Sequence, residues 1–200
     1  MSILIGLPAP EFHSPALMPD GSIDYDFSLS SYRKQDKCVV FFYAMNFAQV
    51  DPTELIALHR AYKAFEERGV KIIAISTDTF MSHKMWQKIP AGKGGVGRLP
   101  FPMVSDYTKS VAKGYDVIMN DTFAMRATFI LDHDGYVRHQ SINDFSLGRN
   151  IHEIIRIIDA MDFHLQTEQL CPANWQVQSA GIAIEDEFAR EYFSAMVPSS

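Results

Sequence analysis

The sequence predicts an α/β protein with a central mixed sheet flanked by helices and followed by a C-terminal arm. Three observations carry that prediction: two apolar runs that read as buried strands, a helical periodicity between them, and an Asp-Gly turn joining two later strands. CVVFFY at 38–43 and VKIIAIS at 70–76 are short, apolar and rich in β-branched or aromatic residues. Between them Leu55, Leu58, Tyr62 and Phe65 recur at helical spacing, so the unit is strand, helix, strand, with a parallel sheet and a right-handed crossover. ATFIL at 127–131 and YVRHQSI at 136–142 flank Asp134-Gly135, which supplies positive φ in a hairpin and adds an antiparallel pair. Asn150 and Glu153 have capping-box spacing, and Ile151, Ile154, Ile155, Ile158 and Met161 form the stripe of a helix expected to cover one sheet face. From about Gln166 the pattern weakens, which divides the chain into a main domain at 1–165 and an arm at 166–200. Phe188, Tyr192, Phe193 and Met196 predict a short amphipathic helix in that arm, of the kind that packs on a partner subunit.

Two hundred residues suit one well-buried core, and 47% hydrophobic with 21% charged residues is the composition of a globular protein, not a disordered one. The formal charge is −6 with no block of like sign, so neither nucleic acid nor an anionic membrane surface is an expected partner. MSILIGLPAPEFHSPA lacks the basic lead and apolar stretch of a secretory signal, and no window approaches a membrane span, so a cytoplasmic address is the expectation. The histidines, among them His59, His83, His133 and His139, show no paired metal spacing, and no metal is expected. GKGGVG at 92–97 lacks the spacing and context of a phosphate-binding loop and reads as a flexible loop, so no nucleotide or other cofactor is expected. The two cysteines, Cys38 and Cys171, are too few for a disulfide framework. Cys38 opens an apolar run, where a thiol is usually a core atom.

FFYAMNFAQVDPTEL at 41–55 resembles the active-site stretch of the peroxiredoxins, in which an aromatic-rich strand leads to Pro-x-x-x-Thr-x-x-Cys and then Pro-Thr-Glu. APEF at 9–12, FMSHKMWQK at 80–88, GGVG at 94–97, FPMVSD at 101–106, MRATFILDHDG at 125–135, NDFSLGRN at 143–150, LCPANW at 170–175 and REYFSAM at 190–196 agree in order and spacing. Together they cover about nine tenths of the chain and are similar to the typical two-cysteine type. The resemblance implies a thioredoxin fold with a C-terminal arm, a homodimer that assembles into a homodecamer, and a thioredoxin-like reductant or an active paralogue as partner. The family reaction is reduction of hydrogen peroxide and alkyl hydroperoxides by a thiolate whose pKa the helix N-terminus lowers from about 8.5.

Carried over residue by residue, the resemblance places Ala44 where the motif has Pro, Ala48 where it has Thr and Asp51 where it has the peroxide-attacking Cys. Pro52, Thr53, Glu54, Trp86, Arg126 and Arg149 remain, Trp86 as a wall of the pocket, and Cys171 stands at the resolving position. Asp51-Pro52-Thr53-Glu54 also reads as a plain helix start, with Asp51 the N-cap, Pro52 the first helical residue and Glu54 the third. A carboxylate there would accept backbone N–H bonds and pair with Arg126, and it cannot form the sulfenic acid that a resolving cysteine attacks. The expectation is therefore a catalytically silenced oligomer with a scaffold, chaperone or regulatory role, its anion imitating the sulfinate of the family's over-oxidised cysteine. GGVG and the Tyr192-Phe193 pair belong, by the same resemblance, to the versions that over-oxidise readily. The alternatives are an active thiol peroxidase working through Cys171, or an engineered Asp51, against which the changes at Ala44 and Ala48 weigh.

Overall fold

The computed structural model describes residues 2–184, 189–190 and 192–194, and the chain divides into two compact units, Met1–Ile151 and His152–Ser200. In the first unit β1 (His13–Leu17) and β2 (Ile23–Ser28) form a hairpin, followed by α1 (Leu29–Arg33), β3 (Lys37–Phe42), α2 (Asp51–Glu66), β4 (Val70–Ser76) and α3 (Phe80–Gln87). Then come β5 (Met103–Ser105), α4 (Ser110–Gly114), a two-residue pair β6 (Ile118–Met119) and β7 (Phe123–Ala124), β8 (Arg126–Leu131) and β9 (Val137–Asn143). The seven-stranded sheet runs β2-β1-β5-β4-β3-β8-β9. β3, β4 and β5 are mutually parallel, and β1 and β8 join them antiparallel from either side.

The central strands are where the apolar runs placed them. β3 is buried on both faces from Cys38 to Phe42, as a strand covered on both sides requires. Phe42, Tyr115 and Phe129 meet with ring centroids 4.9–6.0 Å apart, and Cys38 lies in the same core. Burial chiefly pushes the Cys38 thiol up to about 12, which makes it a small core side chain. The β8–β9 hairpin turns at Gly135, whose φ of 88° is the conformation that favours glycine. The Asp132 carboxylate accepts from the amides of Asp134 and Tyr136 and organises the rest of the turn.

Two local expectations are corrected. α2 starts one residue earlier than a capping Asp51 would set it: the N-cap is Val50, in helical conformation with no side-chain cap. The Val50 carbonyl serves the Thr53 and Glu54 amides and the Thr53 hydroxyl, while the Asp51 carboxylate is engaged elsewhere. The glycine-rich segment is not a loose loop. The Gly94, Gly95 and Gly97 amides donate to carbonyls of residues 89–91, Trp86 Nε1 donates to the Gly94 carbonyl, and a Cβ on Gly95 would sit 1.9 Å from the Ile89 carbonyl oxygen.

In the second unit α5 (Ile151–Thr167) carries the expected isoleucine stripe, with Ile154 and Ile158 buried. Phe163 and Trp175 stack at 4.9 Å, Arg156 donates to Glu153 and to the Trp175 carbonyl, and Leu170 and Ile182 exchange two backbone hydrogen bonds. Of the terminal helix predicted on Phe188, Tyr192, Phe193 and Met196, the first and last residues lie outside the described residues. Tyr192 and Phe193 are helical, their rings edge to face at 6.0 Å.

A buried polar network fixes the β3–α2 connection against α3. His83 is fully buried, and its Nε2 faces the Val104 carbonyl at 3.2 Å; a carbonyl only accepts, so Nε2 carries the proton and Nδ1 accepts from the Asn46 amide at 3.0 Å. The Tyr43 hydroxyl donates to Asn46 Oδ1, and the Asn46 backbone N–H donates to Asp78. Burial lowers the His83 pKa to about 4, partly opposed by the nearby Asp78 charge. A histidine depressed in the fold and near 6.5 when unfolded gives stability that is intact above about 6.5 and lost as pH falls towards about 4. Urea unfolding at pH 7 and pH 5 should therefore show a loss of about 2 kcal/mol, and His83→Gln should remove most of that difference.

Candidate active site at the start of the second helix

Four charged side chains meet where β3 hands over to α2, and all four are shut away from water: Asp51 and Glu54 from the first turn of α2, Arg126 from the start of β8, and Arg149 from the segment after β9. Their formal charges cancel. Arg126 grips Asp51 with both ends of its fork, Nη1 to Oδ1 at 2.7 Å and Nη2 to Oδ2 at 3.2 Å. Its Nη1 also reaches Glu54 Oε2 at 3.1 Å, and its Nε donates to the Phe145 carbonyl at 2.8 Å. Asp51 Oδ1 takes a further bond from the backbone N–H of Ala44 at 3.0 Å.

Glu54 is the hub. Its Oε1 accepts from the Arg149 backbone N–H and Nε, and its Oε2 from Arg149 Nη2, at 2.7–2.9 Å. Arg149 Nη1 donates to the Ala127 carbonyl and the Thr128 hydroxyl, and its guanidinium lies over the Phe41 ring at 3.3 Å from the centroid. Burial pulls the Arg149 pKa down, and the Glu54 hydrogen bonds and charge counter it. Desolvating four charges is repaid only when each finds its partners, and here every carboxylate oxygen accepts at least one hydrogen bond.

The remaining sequence candidates are arranged differently. Ala44 and Pro52 are buried beside Asp51, whereas Ala48 is half-buried and Thr53 exposed, its hydroxyl turned to Val50. Trp86 is buried between Tyr43 and Phe47, ring centroids 6.1 and 5.8 Å away, and its N–H is spent on Gly94. Cys171 belongs to the second unit, where its thiol donates to the Ala160 carbonyl at 3.3 Å and burial raises its pKa against the weaker pull of Arg156. Residues not singled out from sequence are Phe145, through its carbonyl, Thr128, and Ala44 in the role of donor. The one available signal was that residue 44, unlike proline, has an N–H to give. Among the described residues no group of three or more His, Cys, Asp or Glu could hold a metal ion.

A parallel βαβ core carrying an ion network at the helix start, with β1 and β8 antiparallel on its flanks, is a thioredoxin-fold protein. Residues 5–140 match the AhpC/TSA family. The chain is 38% identical over 196 residues to alkyl hydroperoxide reductase C of Buchnera aphidicola from Schizaphis graminum, covering 96% of this chain and 99% of that one. It superposes with TM-score 0.93 on the reduced 2-Cys peroxiredoxin of Plasmodium vivax, at 35% identity over 96% of this chain and all of that one. A third relative, Plasmodium yoelii Prx1a modified at its N-terminus and described as an artifactual octamer, gives TM-score 0.76 at 38% identity over 84% of this chain and 97% of that one. The chain therefore belongs to the AhpC/TSA family and, within it, to the typical two-cysteine peroxiredoxins.

Two outcomes follow from this geometry. Glu54→Ala leaves the buried Arg149 guanidinium without its carboxylate and takes one bond from Arg126, and it should lower the unfolding free energy by about 3–5 kcal/mol, read from urea denaturation. A thiol reagent at pH 7 should label Cys171 more slowly than a free cysteine and leave Cys38 untouched, both reacting fully once the chain is unfolded.

Proposed function

We propose that this chain is a peroxiredoxin without peroxidase activity, an oligomeric member whose role is structural or regulatory. The observation that carries the reading is the bidentate Asp51–Arg126 pair. The position aligned by family resemblance with the attacking cysteine holds a carboxylate, and the guanidinium beside it is already occupied. Carboxylate oxygen has no route to a sulfenic acid, so the first step of thiol peroxidase chemistry has no atom to perform it. The remaining thiols do not offer a substitute: Cys38 is sealed in the core, and Cys171 has its pKa raised, which leaves little thiolate. Ala48 also lacks the hydroxyl that the family motif sets beside the nucleophile.

The pair also supports a second part of the reading. A two-oxygen anion held against Arg126 stands in for the sulfinate of an over-oxidised peroxiredoxin, and it keeps the first turn of α2 folded. Such a chain suits permanent assembly into homodimers and rings of dimers, alone or mixed with an active paralogue.

The test is peroxide consumption by the purified chain with excess dithiol. The unaltered protein should not exceed the dithiol background, Asp51→Cys should raise consumption clearly above it, and Cys171→Ser should change nothing. Consumption by the unaltered chain that Cys171→Ser abolishes would overturn the proposal and make Cys171 the nucleophile.

A further inference from the structure

We infer that the Ala44 N–H and the Arg126 fork form a carboxylate-binding cradle, and that Asp51 fills it as a ligand tethered to the chain. The donors converge on one planar group: Oδ1 receives Ala44 N–H at 3.0 Å and Arg126 Nη1 at 2.7 Å, and Oδ2 receives Arg126 Nη2 at 3.2 Å. A guanidinium fork takes the two oxygens of a carboxylate in bidentate fashion, as it does those of a phosphate-like anion, so the space left around the fork decides between them. Arg126 cannot swing away to another anion, because its Nε is held by the Phe145 carbonyl and its Nη1 by Glu54. The cradle is closed to solvent, so its ligand class is set by size as well as charge.

The cradle also couples two positions that otherwise look like separate departures from the family motif. A proline at residue 44 has no N–H, and Asp51 Oδ1 would lose the backbone donor it has among the described residues. The alanine at 44 is thus what makes a buried carboxylate tolerable at 51. This deepens the reading of the pocket given above, and it does not depend on whether the chain consumes peroxide. A chain active through Cys171 would sink that reading and leave the cradle standing.

Asp51→Ala removes three heavy atoms, the same three that make up formate. Formate should therefore stabilise this variant saturably, raising its thermal midpoint by about 5 °C at roughly a hundredfold excess over its Kd. Acetate should do less because its methyl meets the alanine methyl, sulfate should do nothing specific, and the unaltered chain should not respond. Asp51→Gly should reverse the order and favour acetate. If either variant does not fold unaided, recovery of far-ultraviolet circular dichroism on adding formate or acetate is the same readout. A second arm needs no added ion: Ala44→Pro should lower the midpoint of the unaltered chain by more than it lowers that of an Asp51→Ala background. Absence of anion-specific stabilisation or recovery, or an equal loss from Ala44→Pro in both backgrounds, overturns the inference.

Discussion

The ion network of Asp51, Glu54, Arg126 and Arg149 is the constraint on which the rest of the first unit depends. Its members come from three places: the first turn of α2 supplies Asp51 and Glu54, the first residue of β8 is Arg126, and Arg149 lies in the segment that follows β9. Bringing four charges out of water costs several kcal/mol per ion, and only a complete set of partners offsets that cost. The geometry is correspondingly exact in its demands. Glu54 fixes Arg149, Arg149 reaches the β8 backbone and stacks on Phe41 of β3, and Arg126 returns to Asp51. A shift in any one element leaves a charge without its counter-charge.

By the family resemblance, a frame of this kind would serve to activate a thiolate. On the reading proposed above it holds a carboxylate instead, and the physical consequence is a change in what the arginine does. A guanidinium with free donors can polarise a substrate, whereas one whose two ends are tied to an internal carboxylate can only hold structure. Membership of the family and possession of its chemistry are therefore separate statements about this chain. The first follows from the fold and the extent of similarity; the second, on the proposed reading, turns on the atom type at residue 51.

What the sequence made legible was the part governed by simple periodicity. β4 lies on the predicted residues and β3 within one of them, because a strand covered on both faces must be apolar throughout. β1 was not read as a strand, and the reason is Pro15: it sits in a bulge where the pairing with β2 slips between Ser14 and Ala16, the position where a strand tolerates a residue with no N–H. β5 is three residues long, too short to show a pattern, and is recognisable only once β1 and β4 are beside it. At the site, the types of residue were visible, as was the prospect that Asp51 would meet Arg126. The cap at Val50 and the donor role of Ala44 were not, since both are backbone events that side-chain identity does not announce.

The network also bears on how this protein comes apart. Its ion pairs join residues 75 and 95 positions apart, so the loops they close are long and the partners meet only after β8 and the segment beyond β9 have docked. Contacts that form only after the transition state leave the folding rate nearly unchanged and act mainly on the rate of escape from the native state. Buried charges that close last at the head of α2 would act as a kinetic clasp: they would do little to hurry the chain into its fold and would lengthen the time it stays there.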